Sequence, residues 1–240
     1  MSDVATVILC GGRGTRAYPH TVDLPKPLLE VGGEPVLRHV MEIYAQQGFR
    51  TFVLAAGFKA ELIASFASSL PASWEVMVRD TGLDTPTGER IRACRDTVGS
   101  TFFATYGDGL GDVDLPDLLA FHRAHGRPAT VTTVPLPSQY GTVELAADGS
   151  VERFREKPRL DSHLINAGFL VFDASAFDAW VGDDLERDVL PGLAHGGRLM
   201  AYRHQGFWKS MDTYKDALEL TALTEGQRPP WLRAATDDGS

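Results

Sequence analysis

The chain of 240 residues is the size of one large domain, because single hydrophobic cores stop growing near about 250–300 residues. Hydrophobic residues make up 43% of the sequence and charged residues 23%, which excludes a disordered chain. The formal net charge of −9 argues against a protein that coats nucleic acid or an anionic membrane, although a few local cations could still hold a small anionic ligand.

Cysteine usage and the start of the chain bear on the compartment. Cys10 and Cys94 form neither a CxxC pair nor a metal-spaced cluster. We therefore expect no zinc site, no disulfide framework and a reducing, cytoplasmic environment. The apolar run over residues 4–10 is too short for a signal peptide or a membrane span.

Short β-branched runs bounded by glycine predict buried parallel strands, and apolar residues at helical spacing predict helices. In chain order we expect strand 4–10, helix 36–47, strand 51–56, helix 59–68, strands 75–80 and 101–106, helix 115–125, strands 130–134, 141–145, 151–155 and 164–172, helices 175–180 and 185–194, strand 199–204 and helix 213–225. This alternation predicts a doubly wound, mostly parallel, Rossmann-like α/β sheet with a strand-rich second half.

The organisation along the chain is predicted to be simple. We expect a single domain over residues 1–226, made of halves over about 1–135 and 136–226. Residues 227–240 are expected to form a C-terminal tail that is loose at its end. The sequence contains no internal repeat and no low-complexity segment.

A glycine-rich loop follows the first predicted strand directly. Its residues are Leu9, Cys10, Gly11, Gly12, Arg13, Gly14, Thr15 and Arg16. Glycines at the carboxyl end of a parallel strand let backbone N–H groups approach an anion closely. No Lys-Ser/Thr pair closes the loop as in a Walker A motif, and Ala17 stands where the dinucleotide fingerprint has its third glycine. Taken alone, the loop is also typical of an ordinary turn in many α/β proteins.

Lys26 adds a third cation close to the two arginines of this loop. It lies between Pro25 and Pro27, which favour a stiff, extended backbone and disfavour helix. A lysine held in this way is better suited to binding a ligand than a freely solvated one. Three cations beside one anion-binding loop indicate a polyphosphate ligand.

Two aspartates are candidate metal ligands. Asp108 lies between Gly107 and Gly109 at the end of the predicted strand 101–106, where its carboxylate could face a ligand. Hard oxygen ligands of this kind suit Mg²⁺, but an ordinary Asp-Gly turn is an equally good interpretation. Asp212 precedes Thr213 at the start of the last helix, where it could be a second carboxylate ligand or simply the helix N-cap.

These motifs resemble the sugar-1-phosphate nucleotidylyltransferase family. LCGGRGTR over residues 9–16 and LPKPLLEVGGEPVL over 24–37 are similar to the family signature. The later motifs resemble the glucose-1-phosphate cytidylyltransferase branch: DTGLDTPTGERI (80–91), TYGDG (105–109), FREKP (154–158), INAGFLVF (165–172) and GFWKSMDT (206–213). The resemblance covers residues 4–231. Lys26 between prolines differs from the SKQ of thymidylyl relatives and is shared with guanylyl relatives.

The resemblance implies Mg²⁺-dependent transfer of a nucleotidyl group from CTP to α-D-glucose 1-phosphate, which gives CDP-glucose and pyrophosphate. It implies catalytic roles for Arg16 and Lys26 and metal binding by Asp108 and Asp212. The implied nucleotide-binding residues are Leu9, Cys10, Gly11, Gly12, Arg13, Gly14, Thr15, Arg16, Lys26, Thr85, Gly88, Arg90 and Gly107. The implied sugar-phosphate-binding residues are Tyr140, Gly141, Glu156, Lys157, Asn166 and Gly168. It further implies a cytoplasmic homo-oligomer whose first half binds nucleotide and whose second half binds sugar phosphate, with no nucleic-acid or membrane partner.

Departures from the family pattern leave specificity open. Cys10 stands where the family usually has Ala, Tyr140 stands where Phe is expected, and the segment over residues 66–80 is shorter than in the cytidylyl branch. A related enzyme for another pair of substrates, such as GTP with a mannose phosphate or UTP with a glucose phosphate, is therefore the main alternative. A non-catalytic nucleotide-sensing module is a third, although Arg16, Lys26, Asp108 and Asp212 are all present.

The proposed chemistry needs no general base. The second pKa of a phosphate monoester is about 6, so it is already a nucleophile near neutral pH. Transfers of this kind depend on positioning and charge stabilisation. This agrees with a sequence that offers no good Ser-His-Asp or Cys-His arrangement.

Overall fold

The structure of the protein, a computed structural model, describes residues 4–233. The end of the predicted tail, residues 234–240, lies outside the described residues, as do residues 1–3. The strands are β1 (Thr6–Leu9), β2 (Glu30–Val31), β3 (Glu34–Pro35), β4 (Thr51–Ala56), β5 (Glu75–Asp80), β6 (Thr101–Tyr106), β7 (Gly109–Gly111), β8 (Ala129–Pro137), β9 (Thr142–Leu145), β10 (Val151–Arg155), β11 (Arg159–Asp173), β12 (Leu199–Arg203) and β13 (Trp208–Ser210). The α-helices are α1 (Val36–Ala45), α2 (Ala60–Ala67), α3 (Thr87–Ala93), α4 (Leu115–His125), α5 (Leu190–His195) and α6 (Tyr214–Ala222).

Seven strands form the central sheet in the order β12-β8-β11-β6-β1-β4-β5. The neighbours β1–β4, β1–β6, β4–β5 and β8–β12 are parallel, whereas β11 runs antiparallel to both β6 and β8. The predicted mostly parallel, doubly wound sheet is confirmed. Strands from both halves of the chain share this sheet, and the division expected near residue 135 falls within β8.

Helices cover both faces of the sheet because its strands are apolar on both sides. Along β1, Ile8 packs into one buried cluster while Val7 and Leu9 pack into the other, as the alternation of strand side chains requires. The first cluster receives apolar residues of α1, α2, α4 and α6, and the second receives those of α3 and α5. The carboxyl ends of the parallel strands lie together on one side of the sheet that the helices leave open, and ligands bind there in sheets of this kind.

Several elements agree with the sequence prediction residue by residue. Strands 51–56, 75–80, 101–106 and 151–155 and helix 115–125 have the predicted bounds. The helix predicted over 185–194 is a π-helical turn, Leu185–Val189, that continues into α5. The helix predicted over 175–180 is 3₁₀, Ala174–Ala179, and the strand predicted from residue 164 begins at Arg159.

The extended backbone predicted at Lys26 is wrong. Lys26–Leu28 forms a 3₁₀ turn, because proline is tolerated in the first turn of a helix, where Pro27 lies. Pro25 before the turn and Leu29 after it have the extended conformation. None of the helices within residues 4–233 is both long enough and apolar enough to cross a membrane.

Candidate functional site

A short antiparallel strand pair brings Asp108 and Asp212 together. Asp108 directly precedes β7 and Asp212 follows β13, and Ser210 of β13 pairs with Gly109 of β7. The Met211 N–H also donates to the Asp108 carbonyl oxygen at 2.9 Å. The N-cap of α6 is Thr213, whose hydroxyl accepts from the Asp216 N–H, so the N-cap interpretation of Asp212 is wrong. The Asp212 carboxylate is left free of the helix terminus and available to the site.

Lys26 joins the two aspartates. Its Nζ lies 2.6 Å from Asp108 Oδ2 and 3.4 Å from Asp212 Oδ1, and its side chain is only 8% exposed. Arg16 Nη1 lies 2.8 Å from the same Asp212 oxygen. Two carboxylates that contact one ammonium group can also approach one metal ion. Within residues 4–233 no group of three or more His, Cys, Asp or Glu side chains could hold a metal.

A first cavity of about 490 Å³ opens along the glycine-rich loop. It is lined by Leu9, Cys10, Gly11, Gly12, Gly14, Arg16, Lys26, Pro27, Leu83, Asp84, Thr85, Pro86, Thr87, Arg90, Tyr106, Gly107, Asp108, Asp184 and Glu186. Gly14 has a φ of 61°, and a Cβ there would lie 2.6 Å from Lys26 Cβ, so the loop requires glycine at this close approach. Burial raises the pKa of the Cys10 thiol to about 12, which keeps it neutral in the cavity wall.

Arg90 holds the loops of this cavity in place. Its guanidinium donates to the backbone carbonyls of Gly11, Ala56, Gly82 and Leu83 and to the Thr81 hydroxyl. Arg90 is 4% exposed, and burial lowers the pKa of its guanidinium. One side chain thus ties the glycine-rich loop after β1 to the segments that follow β4 and β5.

A second cavity of about 580 Å³ lies beside the first. It is lined by Pro137, Ser138, Gln139, Lys157, Phe207, Trp208, Lys209, Ser210, Asp212, Thr213, Lys215, Asp216 and Glu219. Asp212 borders this cavity while Lys26 and Asp108 border the first, so the two cavities meet at the Lys26–Asp108–Asp212 cluster. The cluster can therefore act on two ligands at once.

Lysines and an aromatic ring give the second cavity a mixed surface. Burial disfavours the charged form of Lys209, but Glu219 at 2.6 Å and Asp216 at 3.4 Å outweigh it and raise the pKa of the ammonium. Trp208 is half-buried, and its Nε1 donates to the Ala167 carbonyl at 2.7 Å. Cations combined with an aromatic surface suit a ligand that has both an anionic group and an apolar ring face.

Most residues predicted to bind nucleotide line the first cavity together. They are Leu9, Cys10, Gly11, Gly12, Gly14, Arg16, Lys26, Thr85, Arg90 and Gly107. Arg13 instead pairs with Asp84 at 3.6 Å and borders, with Thr15, a separate open cavity of about 360 Å³. Gly88 faces the protein interior, because a Cβ there would lie 2.7 Å from the Asp183 carbonyl oxygen.

The residues predicted to bind sugar phosphate do not all line one cavity, unlike most of those predicted to bind nucleotide. Lys157, with a φ of 45°, lines the second cavity. Tyr140 is 78% exposed, and Tyr140, Gly141 and Glu156 do not line either large cavity of the described chain. Asn166 lies behind the first cavity, where its side-chain amide donates to Tyr106 Oη at 3.4 Å and its oxygen accepts from the Gly168 N–H.

The residues of the cavity walls that sequence reasoning missed include Tyr106, Glu186 and Trp208. Tyr106 is the last residue of β6, and its place at the carboxyl end of a parallel strand was a usable signal. Trp208 lies within a motif that the family resemblance covered. Glu186 lies in a segment with ordinary helical patterning and has no sequence signal of its own.

The fold and the site together define an α/β protein with two adjoining cavities that meet at a lysine and two aspartates. The profile of the Nucleotidyl transferase family matches residues 5–224, and the chain belongs to that family. A relative in Bacillus subtilis (strain 168) is 38% identical, over 94% of this chain and 98% of the relative. The glucose-1-phosphate cytidylyltransferase of Salmonella typhimurium is 36% identical, over 94% and 97%. The resemblance to sugar-1-phosphate nucleotidylyltransferases is confirmed.

More distant proteins share the fold. The mannose-1-phosphate guanyltransferase of Gibberella zeae is 34% identical, over 98% of this chain and 66% of that protein. The crystal structure of HddC from Yersinia pseudotuberculosis complexed with GMP-PN matches with a TM-score of 0.71 at 23% identity, over 92% of this chain and 100% of that one. At that identity the likeness supports the fold alone.

Proposed function

We propose that this protein transfers a cytidylyl group from CTP to α-D-glucose 1-phosphate and releases pyrophosphate, with CDP-glucose as the product. The observation that carries the proposal is the Lys26–Asp108–Asp212 cluster at the junction of a glycine-lined cavity and a lysine-lined one. The choice of CTP and glucose 1-phosphate is supported by the similarity to the glucose-1-phosphate cytidylyltransferase of Salmonella typhimurium. In this proposal the first cavity binds nucleotide and the second binds sugar phosphate.

The two aspartates fit a magnesium ion. Both carboxylates reach the same ammonium group, and hard oxygen ligands from one or two carboxylates are what Mg²⁺ accepts from protein, leaving its other positions to phosphates and water. When bound there, the ion would neutralise phosphate oxygens and make the α-phosphorus more electrophilic. Asp108 and Asp212 would hold it from the two sides of the β7–β13 pair.

The chain's own groups answer the repulsion between two polyanions. Backbone N–H groups of the glycine-rich loop, together with Arg16 and Lys26, bind the triphosphate, and Lys157 binds the sugar phosphate. A non-bridging phosphate oxygen of glucose 1-phosphate attacks the α-phosphorus and forms a new P–O bond. The bond from the α-phosphorus to the oxygen that bridges it to the β-phosphorus breaks, and pyrophosphate leaves as an anion. No proton moves in this step, so positioning and charge neutralisation carry the catalysis.

A different substrate pair is the second candidate. The mannose-1-phosphate guanyltransferase of Gibberella zeae is 34% identical over 98% of this chain, and the connection between α2 and β5 is short, from Ser68 to Trp74. GTP with mannose 1-phosphate is therefore the alternative to test first. It uses the same cluster and differs only in what the two cavities select.

Pyrophosphate release measured across five nucleotides and two sugar phosphates tests the proposal. CTP, UTP, dTTP, GTP and ATP are each combined with glucose 1-phosphate and with mannose 1-phosphate, with and without Mg²⁺. CTP with glucose 1-phosphate should give the highest kcat/KM, and only with the ion. Preference for GTP with mannose 1-phosphate would favour the second candidate. No turnover with any pair, alongside CTP binding in calorimetry, would indicate a non-catalytic nucleotide-sensing module.

A further inference from the structure

Glu186 presents a rigidly held carboxylate to the first cavity. Tyr106 Oη donates a hydrogen bond to Glu186 Oε1, and Thr87 Oγ1 donates to Oε2 at 2.8 Å. The backbone that carries Glu186 is fixed as well, since its N–H donates to the Asp184 carboxylate at 3.0 Å and the Leu185 N–H donates to the Thr87 hydroxyl at 2.9 Å. Both oxygens of the carboxylate are therefore oriented before any ligand arrives.

The two donors to this carboxylate come from different segments of the wall of the first cavity. Tyr106 lies two residues before Asp108, at the end that contains Lys26 and the glycine-rich loop. Thr87 lies two residues after Thr85, in the segment that follows β5. Glu186 is hydrogen-bonded to both, so its carboxylate joins the segment before Asp108 to the segment after β5 in the wall of this cavity.

The chemistry of the carboxylate selects its ligand. An ionised carboxylate only accepts hydrogen bonds and repels phosphate, so its partner is a neutral donor. Each oxygen accepts one bond from the protein and retains a lone pair for another. Two adjacent oxygens with one free acceptor site each match two neighbouring hydroxyl groups. In a nucleotide, the group between phosphates and base that has two such hydroxyls is the ribose, and acidic residues bind ribose hydroxyls in dinucleotide-binding sheets too.

We infer that Glu186 recognises the ribose 2′- and 3′-hydroxyls of the nucleotide and selects ribonucleotides over deoxyribonucleotides, with Tyr106 as its positioning residue. The inference rests on the proposed binding of nucleotide in the first cavity. Loss of a buried hydrogen-bonding partner is a strong basis for rejecting an analogue that lacks one hydroxyl.

Calorimetry and pyrophosphate release test this with the full-length protein. The wild type, Glu186→Gln, Glu186→Ala and Tyr106→Phe are compared using CTP and 2′-deoxy-CTP, or the corresponding pair for whichever ribonucleotide binds best. Glu75→Gln is the matched control, because Glu75 begins β5 at the opposite end of the sheet. The wild type and Glu75→Gln should prefer the ribonucleotide by about 10- to 100-fold in Kd and kcat/KM. Glu186→Ala should reduce this ratio to about threefold or less, and Glu186→Gln and Tyr106→Phe should reduce it by a smaller factor. In all three variants the Kd and kcat/KM for 2′-deoxy-CTP should change little.

Each outcome separates the inference from the proposed function. An unchanged ratio in Glu186→Ala, or a wild type that binds both nucleotides equally, would overturn the ribose assignment while transfer activity stands. A change in the CTP-to-UTP ratio instead would assign Glu186 to the base, and a change only toward 2-deoxyglucose 1-phosphate would assign it to the sugar substrate. Nucleotide binding without turnover would remove the proposed function, and the Kd ratio would still decide the role of Glu186. No binding of any nucleotide would overturn both.

Discussion

Lys26 Nζ lies 2.6 Å from Asp108 Oδ2, although 82 residues separate the two side chains in sequence. The contact exists because the turn after Pro25 and the end of β6 meet at the same edge of the sheet. The ammonium compensates two carboxylates, and in the proposed reaction it compensates phosphate as well. One lysine thus links the charge balance of the two aspartates to catalysis.

Replacing Lys26 tests that link. Lys26→Gln should lower kcat/KM for pyrophosphate release by about 10²–10³-fold, because a fixed cation no longer compensates the charge that develops on phosphate. Lys59→Gln is the matched control, since Lys59 contacts the Phe58 ring and Asp23 outside both large cavities. A Lys26→Gln variant with kcat/KM within threefold of the control would show that the ammonium has no part in the reaction.

Arg90 should contribute more to stability than its neighbour Arg92. Its five hydrogen bonds, to four backbone carbonyls and one hydroxyl, need the fork of a guanidinium, which a lysine cannot reproduce. Arg90→Lys should lower the free energy of unfolding by at least about 2 kcal/mol and weaken nucleotide binding. Arg92→Lys, at a largely exposed ion pair with Asp183, should change it by less than about 0.5 kcal/mol. Urea unfolding followed by circular dichroism measures both, and equal effects would contradict the assigned role of Arg90.

The buried thiols predict how stability depends on pH. Burial raises the pKa of Cys10 from 9.0 to about 12 and that of Cys94 to about 11. An acid whose pKa is higher in the folded state stabilises the fold fully below its unfolded pKa and loses that contribution as pH rises toward the folded value. The free energy of unfolding should therefore fall between pH 8 and pH 10.5 under reducing conditions. Cys10→Ala should show a smaller fall, and an equal fall would mean that Cys10 titrates normally.

The start of α6 positions Asp212 through its capping box. Asp216 Oδ2 accepts from the Thr213 N–H at 2.8 Å and from the Asp212 N–H at 3.1 Å, and the Thr213 hydroxyl caps the helix. Thr213→Ala should cost about 1 kcal/mol and lower Tm by about 2–4 °C in calorimetry. Thr213→Ser keeps the hydroxyl and should stay within about 1 °C of the wild type. A Thr213→Ala variant as stable as Thr213→Ser would contradict the capping role.

The sheet could be predicted because its signal is local. The segments that became β4 and β6 are short apolar runs with abrupt ends, and their bounds match residue for residue. Helix α3 escaped prediction because it buries Gly88 and Arg90 beside a single large apolar residue, Ile91, and so shows no apolar stripe. Strands β7 and β13 are three residues each, and they are defined by pairing with each other about 100 residues apart, which no local pattern encodes.

The sequence predicted which residues form the site better than it predicted how they are arranged. Local features identified three candidates: the flanking prolines for Lys26, the end of a strand for Asp108 and the start of the last helix for Asp212. The meeting of the two aspartates depends on the β7–β13 pair. Gly88 resembled a ligand contact in sequence, yet its lack of a side chain serves the packing of α3 against the Asp183 backbone. The role of Arg90 is similar, because its hydrogen bonds go to carbonyl oxygens that a sequence does not reveal as unpaired.

The most direct test of the account is a double-mutant cycle on Asp108 and Asp212, read by Mg²⁺-dependent pyrophosphate release from CTP and glucose 1-phosphate. If both carboxylates hold one ion, Asp108→Asn and Asp212→Asn should each lower kcat/KM by about 10²–10⁴-fold. The kcat/KM of the double variant should then be only slightly below that of the less active single variant, because the effects of residues that act as a unit are not additive. Losses that multiply in the double variant, or a single variant with wild-type activity and Mg²⁺ dependence, would contradict a shared ion at this site.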